Sequence, residues 1–135
     1  MSVAEFKYQP VRVVHLGKIY RPYALVEFLI VGGGLWVPIE MVVDTGADYT
    51  ILPKRYLPIL GYALKDGLNI TTYGIGGPET VYFYKRVKVR LGKWEEMIPV
   101  GFIERDDVPA LLGRYQFMDR LKTLFVDYKV SFGKL

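Results

Sequence analysis

Short runs of β-branched and aromatic residues, separated by turns that contain glycine, occupy most of this 135-residue chain. Two such runs, 23–31 and 35–43, flank the glycines at 32–34, an arrangement typical of a β-hairpin. Further runs of this kind cover residues 6–16, 69–73, 80–91, 94–103 and 125–132. Strands of this number and length predict an all-β domain, either a small barrel or a sandwich.

Two segments favour a helix instead. Residues 53–60 begin with a proline, which suits a first helical turn, and are followed by Gly61, which suits a helix end. Near the C-terminus, residues 115–123 carry three apolar side chains at helical spacing. We therefore expect one clear helix, near the C-terminus. The helix at 53–60 would be short or irregular, because Pro58 has no amide hydrogen.

The composition is that of a globular protein, with 51% hydrophobic and 24% charged residues, and one domain is expected. The absence of cysteine excludes a disulfide scaffold, thiol catalysis and thiolate metal sites. The apolar stretch 24–43 is interrupted by glycines, a proline and two glutamates, so a membrane helix is not expected. No signal peptide is evident, and the predicted location is cytoplasmic.

The net charge of +4 comes from scattered basic residues. The densest group is Lys85, Arg86, Lys88 and Arg90, which is interleaved with valines as on the solvent face of a strand. This pattern favours a solvated strand face over a nucleic-acid patch. Neither a nucleic acid nor a membrane is therefore expected as a partner.

The tetrapeptide Asp44-Thr45-Gly46-Ala47 follows the apolar run 39–43 and places a carboxylate at the end of a buried strand. Charged groups are costly to bury, so a carboxylate in this position indicates a functional acid. The alternative is an Asx-type turn that merely ends the strand. Gly46 would let backbone amides approach the carboxylate, and Thr45 would offer a hydroxyl that ties the loop down.

A hydrolase without a metal, a cysteine or a serine triad can use two carboxylates that share one proton, because like charges held close together cannot both be ionised. The ionised carboxylate takes a proton from a water molecule, which attacks the peptide carbonyl. The Asp-Thr-Gly motif occurs once in this chain. The second carboxylate would therefore come from another copy of the chain.

The segment 42–52, which reads VVDTGADYTIL, resembles the active-site signature of retropepsin-like aspartic proteases. Three other segments are similar to features of that family and follow the family's order. They are the first hairpin at 21–34, the glycine-rich flap tip at 74–77, and the motif Leu111-Leu112-Gly113-Arg114. The resemblance spans about residues 20–132.

The resemblance implies an all-β, closed barrel of the acid protease (retropepsin) type with one short C-terminal helix. Residues 21–135 would form this domain, and residues 1–20 would be an N-terminal extension containing a strand. The implied activity is that of a homodimeric aspartic endopeptidase, whose dyad consists of Asp44 from each subunit. The implied partners are a second copy of the chain and a peptide or unfolded protein substrate, and no cofactor or metal is implied.

The resemblance also assigns roles to individual residues. The catalytic loop would consist of Asp44, Thr45 and Gly46, with the Thr45 hydroxyl in contact across the two-fold axis. The substrate-binding residues would be Ala47, Asp48, Tyr73, Gly74, Ile75, Gly76 and Gly77, the last four forming a mobile flap. Leu112, Gly113 and Arg114 would give structural support, with an Asp48–Arg114 ion pair holding the loop to the start of the C-terminal helix.

Other interpretations remain open. The strongest is a catalytically weak or inactive dimeric peptide-binding or adaptor domain on the same fold. Pro78 favours it, because Pro78 follows the flap tip at a position where the family usually has an apolar residue. A proline there also cannot donate a backbone hydrogen bond, so flap–substrate contacts are expected to differ. A phosphate cradle at 74–77 is disfavoured because the G-x-G-x-x-G spacing is missing. His15 is interpreted as a structural residue of an apolar strand, and the acidic loop 104–107 as a solvated loop rather than a calcium site.

Overall fold

The computed structural model describes residues 2–135, and its described part is built mainly of β-strands. The twelve strands are β1 (Ser2–Lys7), β2 (Gln9–Val13), β3 (Gly17–Arg21), β4 (Tyr23–Leu29), β5 (Trp36–Val43), β6 (Thr50–Pro53), β7 (Leu68–Gly74), β8 (Gly77–Leu91), β9 (Trp94–Ile103), β10 (Leu111–Leu112), β11 (Leu121–Val126) and β12 (Lys129–Lys134). One short helix, α1 (Tyr56–Leu60), and 3-10 turns at Leu64–Asp66 and Met118–Arg120 complete the elements. The predicted all-β class is confirmed.

The largest sheet has seven strands in the order β4-β5-β10-β6-β9-β8-β7. Most neighbours are antiparallel, whereas β10 runs parallel to β5 and β6 runs parallel to β9. An additional antiparallel pairing joins β4 to β8, with Glu27 opposite Arg90 and Phe28 opposite Val89. The sheet therefore curls back on itself, while closure into a barrel stays a prediction.

Two smaller sheets contain the chain ends. One has the order β1-β12-β11, and the other is the β2–β3 hairpin. His15 lies in the exposed turn of that hairpin with a positive φ of 69°, so its predicted place inside a strand is wrong. The predicted boundary between an extension at 1–20 and a domain at 21–135 stays a prediction.

The hydrophobic core contains side chains from both of the larger sheets. Phe28 of β4, Phe102 of β9 and Phe132 of β12 belong to one buried cluster and are 0%, 0% and 1% exposed. Full burial of a side chain of this size stabilises the fold by roughly 1.5–3 kcal/mol. The three-stranded sheet is thereby held against the seven-stranded one.

The helix predicted at 53–60 is present in shortened form. Strand β6 continues through Pro53, and α1 begins only at Tyr56. It ends where predicted, at Gly61, whose φ of 82° is left-handed and suits glycine.

The helix predicted at 115–123 is wrong. This segment contains a single 3-10 turn, Met118–Arg120, and strand β11 begins at Leu121. The three apolar residues whose spacing suggested a helix, Phe117, Met118 and Leu121, are all buried, so one tight turn is enough to bring them into the core. The region predicted as one strand, 125–132, is instead a hairpin with its turn at Asp127 and Tyr128, where φ is 51° and 58°.

Candidate active site

Asp44 directly follows β5 and is held by the neighbouring strand. Val43, the last residue of β5, is buried and lies opposite Leu112 of β10 in parallel register. The Asp44 amide continues this pairing by donating to the Leu112 carbonyl at 3.0 Å. The short strand β10 therefore fixes the backbone from which the half-buried Asp44 carboxylate projects.

The Asp44–Ala47 loop is a tight turn closed on the carboxylate itself. The Gly46 amide donates to Asp44 Oδ1 at 2.9 Å, and the Ala47 amide donates to the Asp44 carbonyl at 3.1 Å. A Cβ atom on Gly46 would lie 3.2 Å from Asp44 Oδ1, so glycine permits this close approach. The loop thus has the geometry of an Asx turn. The other carboxylate oxygen, Asp44 Oδ2, accepts no hydrogen bond among residues 2–135.

Gly113 is the point at which the second motif contacts the acidic loop. A Cβ atom on Gly113 would lie 2.3 Å from the Tyr49 carbonyl carbon, closer than any side chain could fit. The Gly113 amide donates to Oγ1 of the fully buried Thr50 at 3.2 Å, and the Arg114 amide donates to the Ala47 carbonyl at 3.0 Å. Gly113 and Arg114 therefore support the loop through their backbone amides.

The ion pair expected between Asp48 and Arg114 is present. Arg114 Nη2 donates to Asp48 Oδ1 at 2.6 Å, and the Tyr115 amide donates to the Asp48 carbonyl at 2.8 Å. Both side chains are well exposed, so the pair orients the loop more than it stabilises the fold. Arg114 precedes a 3-10 turn rather than the predicted helix.

The β7–β8 hairpin carries the residues predicted to form the flap. Gly74 lies opposite Gly77, and Ile75 and Gly76 form the tip between them. The Ile75 side chain is fully exposed, and Tyr73 is 80% exposed. The hairpin tip therefore projects from the fold and makes its apolar side chain available for contacts.

A cleft of about 490 Å³ brings this hairpin and the acidic loop together. Among the predicted site residues, the lining includes Asp44, Gly46, Ala47 and Asp48 on one side and Tyr73, Gly74 and Ile75 on the other. Thr45, Gly76 and Gly77 lie outside this lining, as do the supporting residues Leu112, Gly113 and Arg114. One cleft thus joins sequence segments that are about thirty residues apart.

Six further residues line the cleft and were not assigned to the site from the sequence: Tyr49, Ile51, Thr72, Glu79, Ile103 and Leu111. Three of them, Tyr49, Ile51 and Leu111, belong to the two quoted motifs, so the motifs themselves contained the signal. Thr72 and Glu79 lie opposite each other on β7 and β8, a relation that follows from strand pairing. No sequence signal marked Ile103.

The ionisable groups of the cleft include one phenol with a shifted pKa. Burial raises the pKa of the Tyr49 phenol above its usual range, and the neighbouring Asp48 carboxylate acts in the same direction. Tyr49 therefore stays protonated at neutral pH.

Across residues 2–135, no cluster of three His, Cys, Asp or Glu side chains has the arrangement of a metal site. Within the same residues, no helix has the length and apolarity needed to span a membrane.

Comparison with curated sequences gives a partial match. Two acetate kinases from Methanosarcina mazei, one of them from a specified strain, are each 38% identical over 64 residues. The match covers 47% of this chain but only 16% of the length of those curated relatives. A likeness to so small a part of a kinase says nothing about the activity of this chain.

The matches to a solved structure and to a family model cover most of this chain. The structure is similar to a retropepsin-like aspartic protease from Rickettsia conorii, with a TM-score of 0.64, 20% identity, and coverage of 96% of this chain and 98% of that one. At this identity the likeness shows the fold.

The model of a family described as aspartyl protease matches residues 26–115, which include the Asp44 loop, the hairpin and the Gly113 motif. The chain therefore belongs to the aspartyl protease family and has the retropepsin-like fold that its sequence motifs predicted.

Proposed function

We propose that this protein is a homodimeric aspartic endopeptidase that hydrolyses peptide bonds with a water molecule activated by Asp44 from each of two subunits. The observation that carries the proposal is the cleft that joins the single Asp-Thr-Gly loop to the exposed β7–β8 hairpin. One chain supplies half of the two-carboxylate machinery, so a second copy completes it. Membership of the aspartyl protease family supports the choice of chemistry.

The chemistry follows from two facing carboxylates that share one proton and titrate as a unit. The ionised carboxylate takes a proton from the water, whose oxygen attacks the peptide carbonyl carbon. The protonated carboxyl gives its proton to the carbonyl oxygen, so a gem-diol forms. As the C–N bond breaks, the leaving nitrogen takes the proton that the other carboxyl removed from the water, and one gem-diol hydroxyl returns its proton to the dyad. The Gly46 amide already donates a hydrogen bond to Asp44 Oδ1, so Oδ2 is the oxygen that would interact with the water.

The proposed substrate is an extended peptide that lies between the acidic loop and the hairpin. Ala47 and Asp48 would flank its backbone on one side, and Tyr73, Gly74 and Ile75 would cover it on the other. The tip residues Gly76 and Gly77 would give the hairpin the freedom to open and close as a flap. Thr45, which is exposed, would contact its counterpart across the two-fold axis.

The β4–β8 pairing supports a further part of the proposal, a closed barrel within each subunit. Such closure would leave the large sheet without an open edge between these two strands. The three-stranded sheet would then remain available for contact with the second copy.

The test combines particle mass in solution with cleavage of an unfolded protein by wild type, Asp44→Asn and Asp119→Asn. Asp119→Asn is the matched control, because Asp119 is an exposed acid of the 3-10 turn outside the cleft. We expect a dimeric mass for all three proteins and a rate for Asp44→Asn that is lower by a factor on the order of 10³. Equal rates for wild type and Asp44→Asn would exclude Asp44 as the reacting acid.

A mixing experiment tests whether the two carboxylates act together. When equal amounts of wild type and Asp44→Asn exchange subunits, half of the wild-type chains enter mixed dimers, so activity per wild-type chain should fall to about half. Unchanged activity per wild-type chain would show that each subunit works alone. Mixing with Asp119→Asn should leave the total activity equal to the sum of the two samples.

A second candidate function is supported by Pro78. It lies opposite Tyr73 in the hairpin and, lacking an amide hydrogen, cannot donate to a bound peptide. A hairpin that lacks this hydrogen bond would position a peptide less firmly for attack, so a dimeric peptide-binding domain with little or no hydrolysis is the second candidate. Saturable binding of an unfolded peptide, without cleavage at any pH between 3 and 8, would favour this function over the peptidase.

A further inference from the structure

The charge of the cleft has one sign. Apart from tyrosines, its ionisable lining residues are Asp44, Asp48 and Glu79, and none of the described residues that line it is Lys, Arg or His. Asp44 is the acid of the proposed reaction, and the Asp48 carboxylate is paired with Arg114. Glu79 is therefore the acid of the cleft to which the proposed chemistry gives no role.

Glu79 is placed on the cleft side of the hairpin. It lies directly opposite Thr72, and residues opposite each other on antiparallel strands project from the same face of the sheet. Thr72 and Glu79 both line the cleft. The Glu79 side chain is 24% exposed, so it is shielded from bulk water but still accessible from the cleft.

Arg105 anchors this carboxylate from outside the cleft. Arg105 Nη1 donates to Glu79 Oε1 at 2.8 Å, while its Nε donates to Asp107 Oδ1 at 2.8 Å and its Nη2 to Asp107 Oδ2 at 2.5 Å. The hydrogen bonds from Arg105 hold the pKa of the Asp107 carboxyl below its usual range. Two carboxylates around one guanidinium leave one net negative charge, and Glu79 Oε2 has no hydrogen-bond partner among residues 2–135.

We propose that Glu79 is a specificity-determining residue that selects peptides with a lysine or arginine side chain beneath the hairpin. This inference rests on the proposed peptidase function. A shielded carboxylate attracts a cation more strongly than an exposed one, and it repels an acidic side chain placed there. The apolar Ile75 and Ile103, which also line the cleft, would contact the aliphatic stem of such a side chain.

The test uses matched peptides that differ at one position, which carries arginine, glutamine or glutamate in turn, and the position is moved along the peptide. For wild type we expect one position at which arginine raises kcat/KM over glutamine by about tenfold, and at which glutamate lowers it. Glu79→Gln, which keeps the size of the side chain but removes its charge, should abolish this preference while still cleaving the glutamine peptide. Glu79→Lys should reverse the preference toward glutamate.

Asp107→Asn is the matched control. It removes the other acidic partner of Arg105, but Asp107 does not line the cleft, so the preference for arginine should persist. The thermal unfolding midpoints of all variants show whether each is folded. Because the proposed contact is ionic, the wild-type preference should also weaken as salt is added.

The outcomes separate this inference from the proposed function. If wild type cleaves no peptide of the set, the peptidase function fails and the specificity proposal fails with it. If wild type cleaves the peptides but prefers arginine at no position, or if Glu79→Gln keeps the full preference, the peptidase function stands and Glu79 is only a structural partner of Arg105.

Discussion

At the scale of single residues, Gly113 shows how a position outside the cleft can decide whether the acidic loop forms. A Cβ atom there would lie 2.3 Å from the Tyr49 carbonyl carbon and 2.4 Å from its oxygen. We therefore expect Gly113→Ala to lower the free energy of unfolding by about 1–3 kcal/mol, the usual effect of overpacking a close contact. Tyr49 lies just after the Asp44–Ala47 loop, so a shift of the Tyr49 backbone should also disturb this loop and lower the peptidase activity.

Urea unfolding of Gly113→Ala and Gly76→Ala checks this expectation. Gly76 has no positive φ, and a Cβ atom there would meet nothing within 4 Å, so its substitution should change the free energy of unfolding by less than about 0.5 kcal/mol. Equal stability of the two variants would mean that the contact between Gly113 and Tyr49 does not constrain the loop.

Part of the site could be predicted from the sequence residue by residue. Of the residues predicted for the acidic loop, Asp44, Gly46, Ala47 and Asp48 line one cleft, whereas Thr45 does not. The Asp48–Arg114 pair also lies where the resemblance placed it. Thr72 and Glu79 were not predicted because their facing positions depend on the register of β7 and β8 beyond the glycine tip. Ile103 was not predicted because it lies beside β6 through the parallel pairing of β6 with β9, which no local pattern encodes.

At the scale of elements, the pairing of β4 with β8 carries an ion pair at its centre. Arg90 Nε and Nη2 donate to the two Glu27 carboxylate oxygens at 2.9 and 3.0 Å, and the Arg90 guanidinium lies 4.1 Å from the Trp36 ring centroid. The hydrogen bonds from Arg90 lower the pKa of the Glu27 carboxyl from its usual value. A carboxyl whose pKa is lowered by folding stabilises the fold above its unfolded pKa, and this stabilisation is lost as the pH falls through the folded pKa.

Glu27→Gln should therefore be less stable than wild type at pH 7, and the difference should shrink in acid. Because both side chains are about one-third exposed, solvent screening limits the expected loss to about 0.5 kcal/mol. Urea midpoints at pH 7 and pH 3 measure the difference, with Glu5→Gln, a change to an exposed acid of β1, as the control. A Glu27→Gln deficit that is the same at both pH values would show that the charge of Glu27 contributes nothing to stability.

A glycine turn helped to predict some elements but did not guarantee their bounds. The run 6–16, which precedes Gly17, was predicted as one strand and is instead divided between β1, β2 and the turn at 14–16. Strand β9, between the turn at Gly92 and the polar loop after Ile103, was predicted with its observed bounds. The β11–β12 hairpin was missed because its turn, Asp127-Tyr128, adopts positive φ without a glycine. The apolar spacing before it resembled a helix because a single buried turn and a helix place side chains on the core in a similar way.

At the scale of the whole molecule, the proposed activity requires two copies, and β11 offers a surface on which they could meet. It is the edge strand of the β1-β12-β11 sheet, so its outer backbone groups have no partner strand in that sheet. Leu124, Phe125 and Val126 are between 40% and 58% exposed. An edge strand with apolar side chains on both faces is costly to leave in water, and pairing with a second copy would cover it.

Leu124→Lys should accordingly weaken the dimer, because it places a charge in the apolar contact. We expect its mass in solution to fall from dimer to monomer at concentrations where wild type remains dimeric, and its specific activity to recover as protein concentration rises. The control is Leu64→Lys, which changes a leucine of the first 3-10 turn that is 43% exposed and lies outside β11. If both variants keep the mass and the activity of wild type at every dilution, β11 does not form the interface. If Leu124→Lys is monomeric yet fully active, the requirement for two carboxylates is itself wrong, since a lone subunit would then hydrolyse peptides with a single Asp44.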